Sequence, residues 1–534
     1  MTMQTSGHID SFTREHLPAA CDWPEFCFDS PGLTYPGRLN CAAELLDRNL
    51  ENGLGDKVAI YSSARNITWS DLRREASRIA HVLVEDMGLV PGNRVLLHGP
   101  NSIELIASWY GTILAGGVAV MTMPMLRAGE IAKVIAKGKV SHALFDAALA
   151  QPVREAAALE PGLASILAWG QDGQLATAMA AKPDRFAAAD TARDDIALLA
   201  FTSGTTGEPK ACAHFHSSVL AMADTFGATV LNPDPDEIYL GTPPFAFTFG
   251  LGACVVFPAR AGLATALPDR PGFEALCETI ERFAVTTLFT APTGYRALMG
   301  LWDRFDLSSL RKGVSAGEHL PAATSDAFHA LSGIRLIDGI GATEMIHIFI
   351  SAAGSDIRPG ATGKAVPGYQ ARVVNAAGDP VADGEIGRLA VKGPTGCLYL
   401  DDKRQKTYVQ KGWNITGDLY RRDEDGYFWY VSRADDLIVS SGYNIAGPEV
   451  EQALLLHDAV LECAVVGAAD AERGTIVKAF IVLAEGHDAD DDLVARLQDH
   501  VKASIAPYKY PRAIEFLAAL PKTQTGKIQR FKLR

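Results

Sequence analysis

Thr202-Ser203-Gly204-Thr205-Thr206-Gly207-Glu208-Pro209-Lys210 is the stretch from which the fold of this chain is read. Two glycines flank a threonine pair, a serine and a further threonine precede them, and a lysine follows a proline. Such a loop can close its backbone around phosphate oxygens, with hydroxyl donors and one cation to hold them. The apolar run Ile196 to Phe201 reads as a buried strand feeding the loop, and Ser217 to Phe226 reads as a helix following it. A Walker A loop is excluded, because Glu208 and Pro209 separate Gly207 from Lys210 where that motif needs Gly-Lys-Ser/Thr.

At 534 residues the chain exceeds one compact core, and two or three domains are expected. Hydrophobic residues at 48% and charged residues at 21% describe an ordinary globular protein. A net charge of -14 argues against a nucleic-acid partner or an anionic membrane surface. The eight cysteines form no C-x-x-C pair, which points away from a zinc site or disulfide framework and toward a reducing cytoplasm. The polar N-terminus lacks the apolar segment of a secretory signal.

Leu105 to Leu126 is uncharged and long enough to span a bilayer. Gly111, Gly116, Gly117 and Pro124 interrupt it, so it divides into a helix ending near Gly116 and a strand from Val118 to Met123. Helical spacing from Asn40 to Leu50 and from Trp69 to Glu85 brackets strand-like Val58 to Tyr61, and Arg94 to His98 follows. Further strands are expected at Ala143 to Phe145 and Ile238 to Leu240, with surface helices in the Ala-rich stretch between. This alternation is an α/β pattern with mostly parallel sheets. There is no internal repeat at solenoid period.

Beyond the loop, Pro243 to Leu251 carries Phe245, Phe247 and Phe249 at alternating positions, which places their rings on one face if the segment is extended. The stretch has no carboxylate, so an α-amino acid substrate is disfavoured because its buried ammonium lacks a partner. Ser315-Ala316-Gly317-Glu318 follows a strand-like pair, and its small residues let a flat ring lie against backbone. Asp338-Gly339-Ile340-Gly341-Ala342-Thr343-Glu344 comes next, and His347 lies three positions beyond Glu344, on the same face if that segment is helical. Thr416-Gly417-Asp418, the fourteen residues Ser432 to Ile445, and Pro521 to Arg530 complete the series.

These segments, in this order and from about residue 50 to the end, resemble the ANL superfamily of adenylate-forming enzymes, most closely its benzoate- and 2-aminobenzoate-CoA ligases. The resemblance implies an α/β fold with a large N-terminal ATP- and acid-binding domain, residues 1–434. A small, mobile α+β lid, residues 435–534, would be hinged at Asp435. It implies ATP, Mg²⁺ and coenzyme A, with a small aromatic carboxylic acid as the fourth participant. The Thr202 to Lys210 loop would take the phosphates. Ala316, Gly317 and Glu318 would sandwich adenine, Asp338, Gly339 and Ile340 would belong to the ATP site, Asp418 would accept from both ribose hydroxyls, and Arg433 would contact ribose or phosphate. Thr343 would bond the α-phosphate and Glu344 would hold the metal. Lys527, in the final motif, would reach into the site. Phe247, Thr248, Phe249, Ile340, Gly341 and His347 would line the acid site, while Gly442 and Tyr443 would pass the pantetheine arm of CoA.

Two departures bear on the substrate. Ile340 stands where the family places an aromatic residue, and no tryptophan at Ile340 or Gly341 closes the acid pocket. With the phenylalanine wall these favour a flat aryl acid. A medium- or long-chain fatty acyl-CoA ligase, an adenylating enzyme loading a carrier protein, and an acyl-nucleotide-binding protein without turnover are the alternative readings. A homodimer is compatible with any of them.

Overall fold

The computed structural model describes residues 3–202, 208–440, 443–470, 474–522 and 528–534. Ser203, Gly204, Thr205, Thr206, Gly207, Gly442, Lys527 and the side chain of Tyr443 lie outside the described residues. The fold is α/β with parallel-rich sheets. In one six-stranded sheet the order is Ser165–Trp169, His142–Asp146, Arg94–His98, Val118–Thr122, Ile196–Thr202, Lys210–Phe215, all parallel except the last pair. A nine-stranded sheet carries Ala264–Ala266, Ile238–Gly241, Thr287–Thr290, Lys312–Ala316 and Ile337–Gly341 in parallel beside Val58–Tyr61, with antiparallel strands at its edges. Strands such as Val118–Thr122, buried on both faces, are uninterrupted apolar or small-residue runs, as helix-covered parallel strands require.

Local signals fix many boundaries. Thr68 caps the helix Trp69–His81 in a reciprocal capping box with Asp71, and Asp490 caps Asp491–Ser504 through the Leu493 N–H. The uncharged run at Leu105 to Leu126 resolves into the helix Ile103–Leu114 and the strand Val118–Thr122, turning at Gly116 with φ +78°. Among the described residues no helix is long and apolar enough to cross a membrane.

Two expectations are corrected and one strand is added. The strand Ile196–Thr202 and the helix His216–Met222 stand where they are expected, and between them Lys210–Phe215 forms a strand antiparallel to Ile196–Thr202. The alternation Lys-Ala-Cys-Ala-His-Phe carries no strong strand signal because alanine is neutral to the pattern. The Ala-rich stretch holds a strand, Ser165–Trp169, at the sheet edge as well as helices. Pro243 to Leu251 is not extended: Thr248–Leu251 is helical, which turns Phe245 into the core while Phe247 and Phe249 face a cavity.

A third, antiparallel sheet joins Gln370–Val374, Ile386–Lys392, Trp413–Arg422 and Val409–Gln410, with Phe428–Arg433 paired onto Trp413–Arg422. The chain then makes a short helical turn at Ala434–Asp436 and enters a unit with its own core. There the helices Gly447–Leu455 and Asp491–Ser504 cover the sheet Val460–Asp470, Gly474–Leu483, Ala513–Phe516.

Candidate active site

The C-terminal ends of the parallel strands Ile238–Gly241, Thr287–Thr290, Lys312–Ala316 and Ile337–Gly341 open together, the usual position for ligands in open α/β sheets. They border a cavity of about 600 Å³. Its wall includes Phe247, Thr248, Phe249, Gly341, Thr343 and His347. The hydroxyls of Thr242 and Thr290 meet there at 2.6 Å.

His347 reaches this cavity by a route other than the expected helix. The helical turn ends at Met345, Ile346 adopts φ +63°, and the chain reverses into the strand Ile348–Ser351, which swings the imidazole inward. Its ring packs edge-on against Phe257 at 4.6 Å and lies 5.6 Å from Phe226 and 5.7 Å from Phe249. Burial drives its pKa down to about 3, so it is a neutral aromatic wall and not a cation.

A second cavity of about 430 Å³ shares Gly317, Gly341, Arg296 and Glu462 with the first. Gly317, at φ +90°, and Gly339 bring bare backbone to its edge, and Glu318, Asp338 and Ile340 line it. Ile340, expected at both sites, lines only this one. Strand alternation explains the difference, because Gly341, the next residue, is the one that reaches both cavities. Burial of its carboxyl pushes the Asp338 pKa well above the usual range, and its Oδ1 meets no partner among the described residues.

Asp418 and Arg433 sit opposite each other on adjacent strands, with Nη1 donating to Oδ1 at 3.1 Å, and both line this cleft. His319 stacks on Tyr430 with centroids 5.1 Å apart, and burial holds its pKa near 4. From the C-terminal unit, Glu451, Gln452, Ile528 and Arg530 close the cleft. Arg530 donates to both Glu451 oxygens at 2.8 and 2.9 Å. Burial opposes its charge, but that carboxylate outweighs burial and leaves Arg530 above its ordinary range. Ile528, adjoining Lys527 in sequence, thus stands at the cleft that holds Asp418.

Thr202, Lys210 and Glu344 line neither cavity, and Lys210 and Glu344 meet instead at Tyr399. His214 Nε2 donates to Thr343 O at 2.8 Å, and the Tyr399 hydroxyl donates to Glu344 Oε1 at 2.5 Å. Lys210 Nζ donates to the same Tyr399 hydroxyl at 3.2 Å. Glu344 is nearly buried, and among the described residues no cluster of three or more metal-ligating side chains exists. One carboxylate of this kind suits a hard cation whose other ligands are phosphate oxygens and water, so the donor set fits Mg²⁺ arriving with a nucleotide.

Sequence reading missed Tyr399, His214, His319, Glu451 and Arg296. None sits in a recognisable local pattern, and each is brought in by strand pairing or by the docking of the C-terminal unit.

Relatives with solved or curated functions share this architecture. The AMP-binding enzyme family matches residues 46–398, and the AMP-binding enzyme C-terminal domain matches residues 449–527. The benzoate–CoA ligase of Thauera aromatica is 34% identical over 512 residues, covering 94% of this chain and 97% of that protein. A 4-hydroxybenzoate–CoA/benzoate–CoA ligase of Rhodopseudomonas palustris is 36% identical over 513 residues, covering 93% and 94%. The crystal structure of an anthranilate CoA ligase in complex with anthranoyl-AMP superimposes with a TM-score of 0.89 at 35% identity, covering 94% of this chain and 97% of that one.

Proposed function

Since this chain belongs to the AMP-binding enzyme family, we propose that it is an ATP-dependent acid–CoA ligase acting on a flat aromatic carboxylate of the benzoate or 2-aminobenzoate type. The observation that carries this reading is the junction of the two cavities. An uncharged wall of Phe247, Phe249 and neutral His347 meets, at Gly317 and Gly341, a cleft edged by Ile340 and Asp418. An aryl ring seated in the first cavity has its carboxylate directed at the phosphate end of a nucleotide in the second.

In the first half-reaction a carboxylate oxygen attacks the α-phosphorus of ATP, the bond to the β-phosphate oxygen breaks, and pyrophosphate leaves. Negative charge spreads over phosphate oxygens, so the reaction needs donors and cations and no nucleophilic side chain. Thr343, Lys210, the Gly/Thr loop and Lys527 supply these. Glu344 would hold Mg²⁺, which neutralises phosphate charge when bound. Asp418 accepts from the ribose hydroxyls, with Arg433 orienting it.

In the second half-reaction the CoA sulfur attacks the acyl carbon, the bond to the AMP oxygen breaks, the thiol proton is lost, and AMP leaves. Lys527 would crowd the thiol's approach, so the unit beyond Asp435 would turn about that residue to withdraw it and bring Gly442 and Tyr443 to CoA. The domain division therefore falls at Asp435, with residues 1–434 as one body and 435–534 as the other. A reducing cytoplasmic setting is consistent with eight cysteines all in the free state.

The test is AMP release in the presence of CoA over a panel of benzoate, 2-aminobenzoate, 4-hydroxybenzoate and octanoate. An aryl acid gives the highest kcat/KM. Octanoate as the best substrate would overturn the aryl assignment in favour of a fatty acyl ligase.

A further inference from the structure

The segment Cys397 to Leu400 has no part in the chemistry above, yet it is laid directly against the phosphate hairpin. It runs antiparallel along Lys210–Phe215, with Ala213 N donating to Leu398 O and Leu400 N to Ala211 O, each at 2.9 Å, and Tyr399 bridged to Cys212. This pairing carries the Tyr399 side chain under Lys210 and over Glu344. Tyr399 is fully buried, and its hydroxyl makes two charged contacts. It donates to Glu344 Oε1 at 2.5 Å and accepts from Lys210 Nζ at 3.2 Å. A phenol has one proton and free lone pairs, so both bonds hold at once.

The Tyr399 backbone and ring are themselves held from behind. Tyr399 N donates to Gln405 Oε1 at 2.9 Å, and Gln405 Nε2 donates to Cys397 O at 3.0 Å and to Asp22 O at 2.9 Å. The ring packs edge-on against Tyr408 with centroids 5.8 Å apart. A buried hydroxyl clamped this way sets where the lysine cation and the glutamate carboxylate stand relative to each other. Without it the two charges are free to collapse into a direct pair, in which each cancels the other's field.

We propose that Tyr399 is a positioning residue for adenylation, its hydroxyl acting as the spacer that presents Lys210 and Glu344 separately to the triphosphate and its magnesium. The inference rests on the reading of the cleft as an ATP site.

It is tested by calorimetric titration of the full chain with ATP, once with Mg²⁺ and once with chelator, in the wild type and in Tyr399→Phe. In the wild type Mg²⁺ tightens ATP binding. In Tyr399→Phe that gain shrinks by roughly ten-fold, as expected for loss of a hydrogen bond to a charged group, and adding Glu344→Gln costs less than the same change costs in the wild type. Gln405→Ala, which keeps the hydroxyl but frees its segment, shows the same magnesium-specific loss in smaller degree, and thermal midpoints report whether each variant is folded. A magnesium gain within two-fold of wild type in folded Tyr399→Phe, or losses from Tyr399→Phe and Glu344→Gln that simply add, overturns the proposal. A wild-type chain that binds no ATP overturns the nucleotide reading itself, and this inference with it.

Discussion

Gly252 and His347 are so close that a methyl group on the glycine would lie 2.4 Å from ring atom Cδ2 and 2.7 Å from Nε2. No real carbon contact is that short, so the imidazole stands against the acid cavity only because residue 252 has no side chain. Gly252→Ala forces the ring toward the cavity. The KM for the aryl acid rises about ten-fold, an effect of the size seen for a crowded apolar pocket, while the KM for ATP stays near wild type. Steady-state kinetics varying each substrate in turn checks this, and equal rises in both constants would show that the change is not confined to the acid wall.

Acid should destabilise the fold through histidines held neutral. Burial lowers the pKa of His214 to about 4 and of His216 and His347 to about 3, against 6.5 for an exposed imidazole. From pH 6.5 down to about 4 for His214, and to about 3 for His216 and His347, the unfolded chain binds protons that the folded chain refuses, so stability is fully present above the upper limit and falls as pH drops. At pH 5 each of the three removes roughly 2 kcal/mol. Thermal unfolding at pH 7 and pH 5 measures the difference, and unchanged midpoints would contradict it.

Replacing Lys527 separates the two half-reactions. Lys527→Ala loses about 10²–10³-fold in adenylate formation, as expected when one well-placed charge is removed from a phosphoryl transition state. The same variant converts pre-formed aryl-AMP and CoA to thioester at the wild-type rate. Single-turnover assays of each step decide it, and an equal loss in both would mean that the C-terminal unit does not alternate.

What could be read in the sequence followed from how local each signal is. Arg94–His98 falls at its expected bounds because an apolar run acts within a few residues. Asp338, Gly341 and Asp418 reach the cavities because each lies in a motif whose neighbours constrain it. The hairpin at Lys210–Phe215 was hidden because its strand is short and alanine-rich, and pairing with Ile196–Thr202 decides its state. The inward turn of His347 depends on one left-handed residue, Ile346, which periodicity cannot anticipate. Tyr399 is the clearest case: it meets Glu344 across 55 positions and Lys210 across 189, and only the register of a non-local strand pairing joins them.

The most direct test of aryl adenylation is acid-dependent exchange of labelled pyrophosphate into ATP with CoA left out. Benzoate or 2-aminobenzoate should support exchange well above a no-acid control, and octanoate should support little. Exchange that no aryl acid stimulates would contradict the assignment of the two joined cavities to an aromatic acid and ATP.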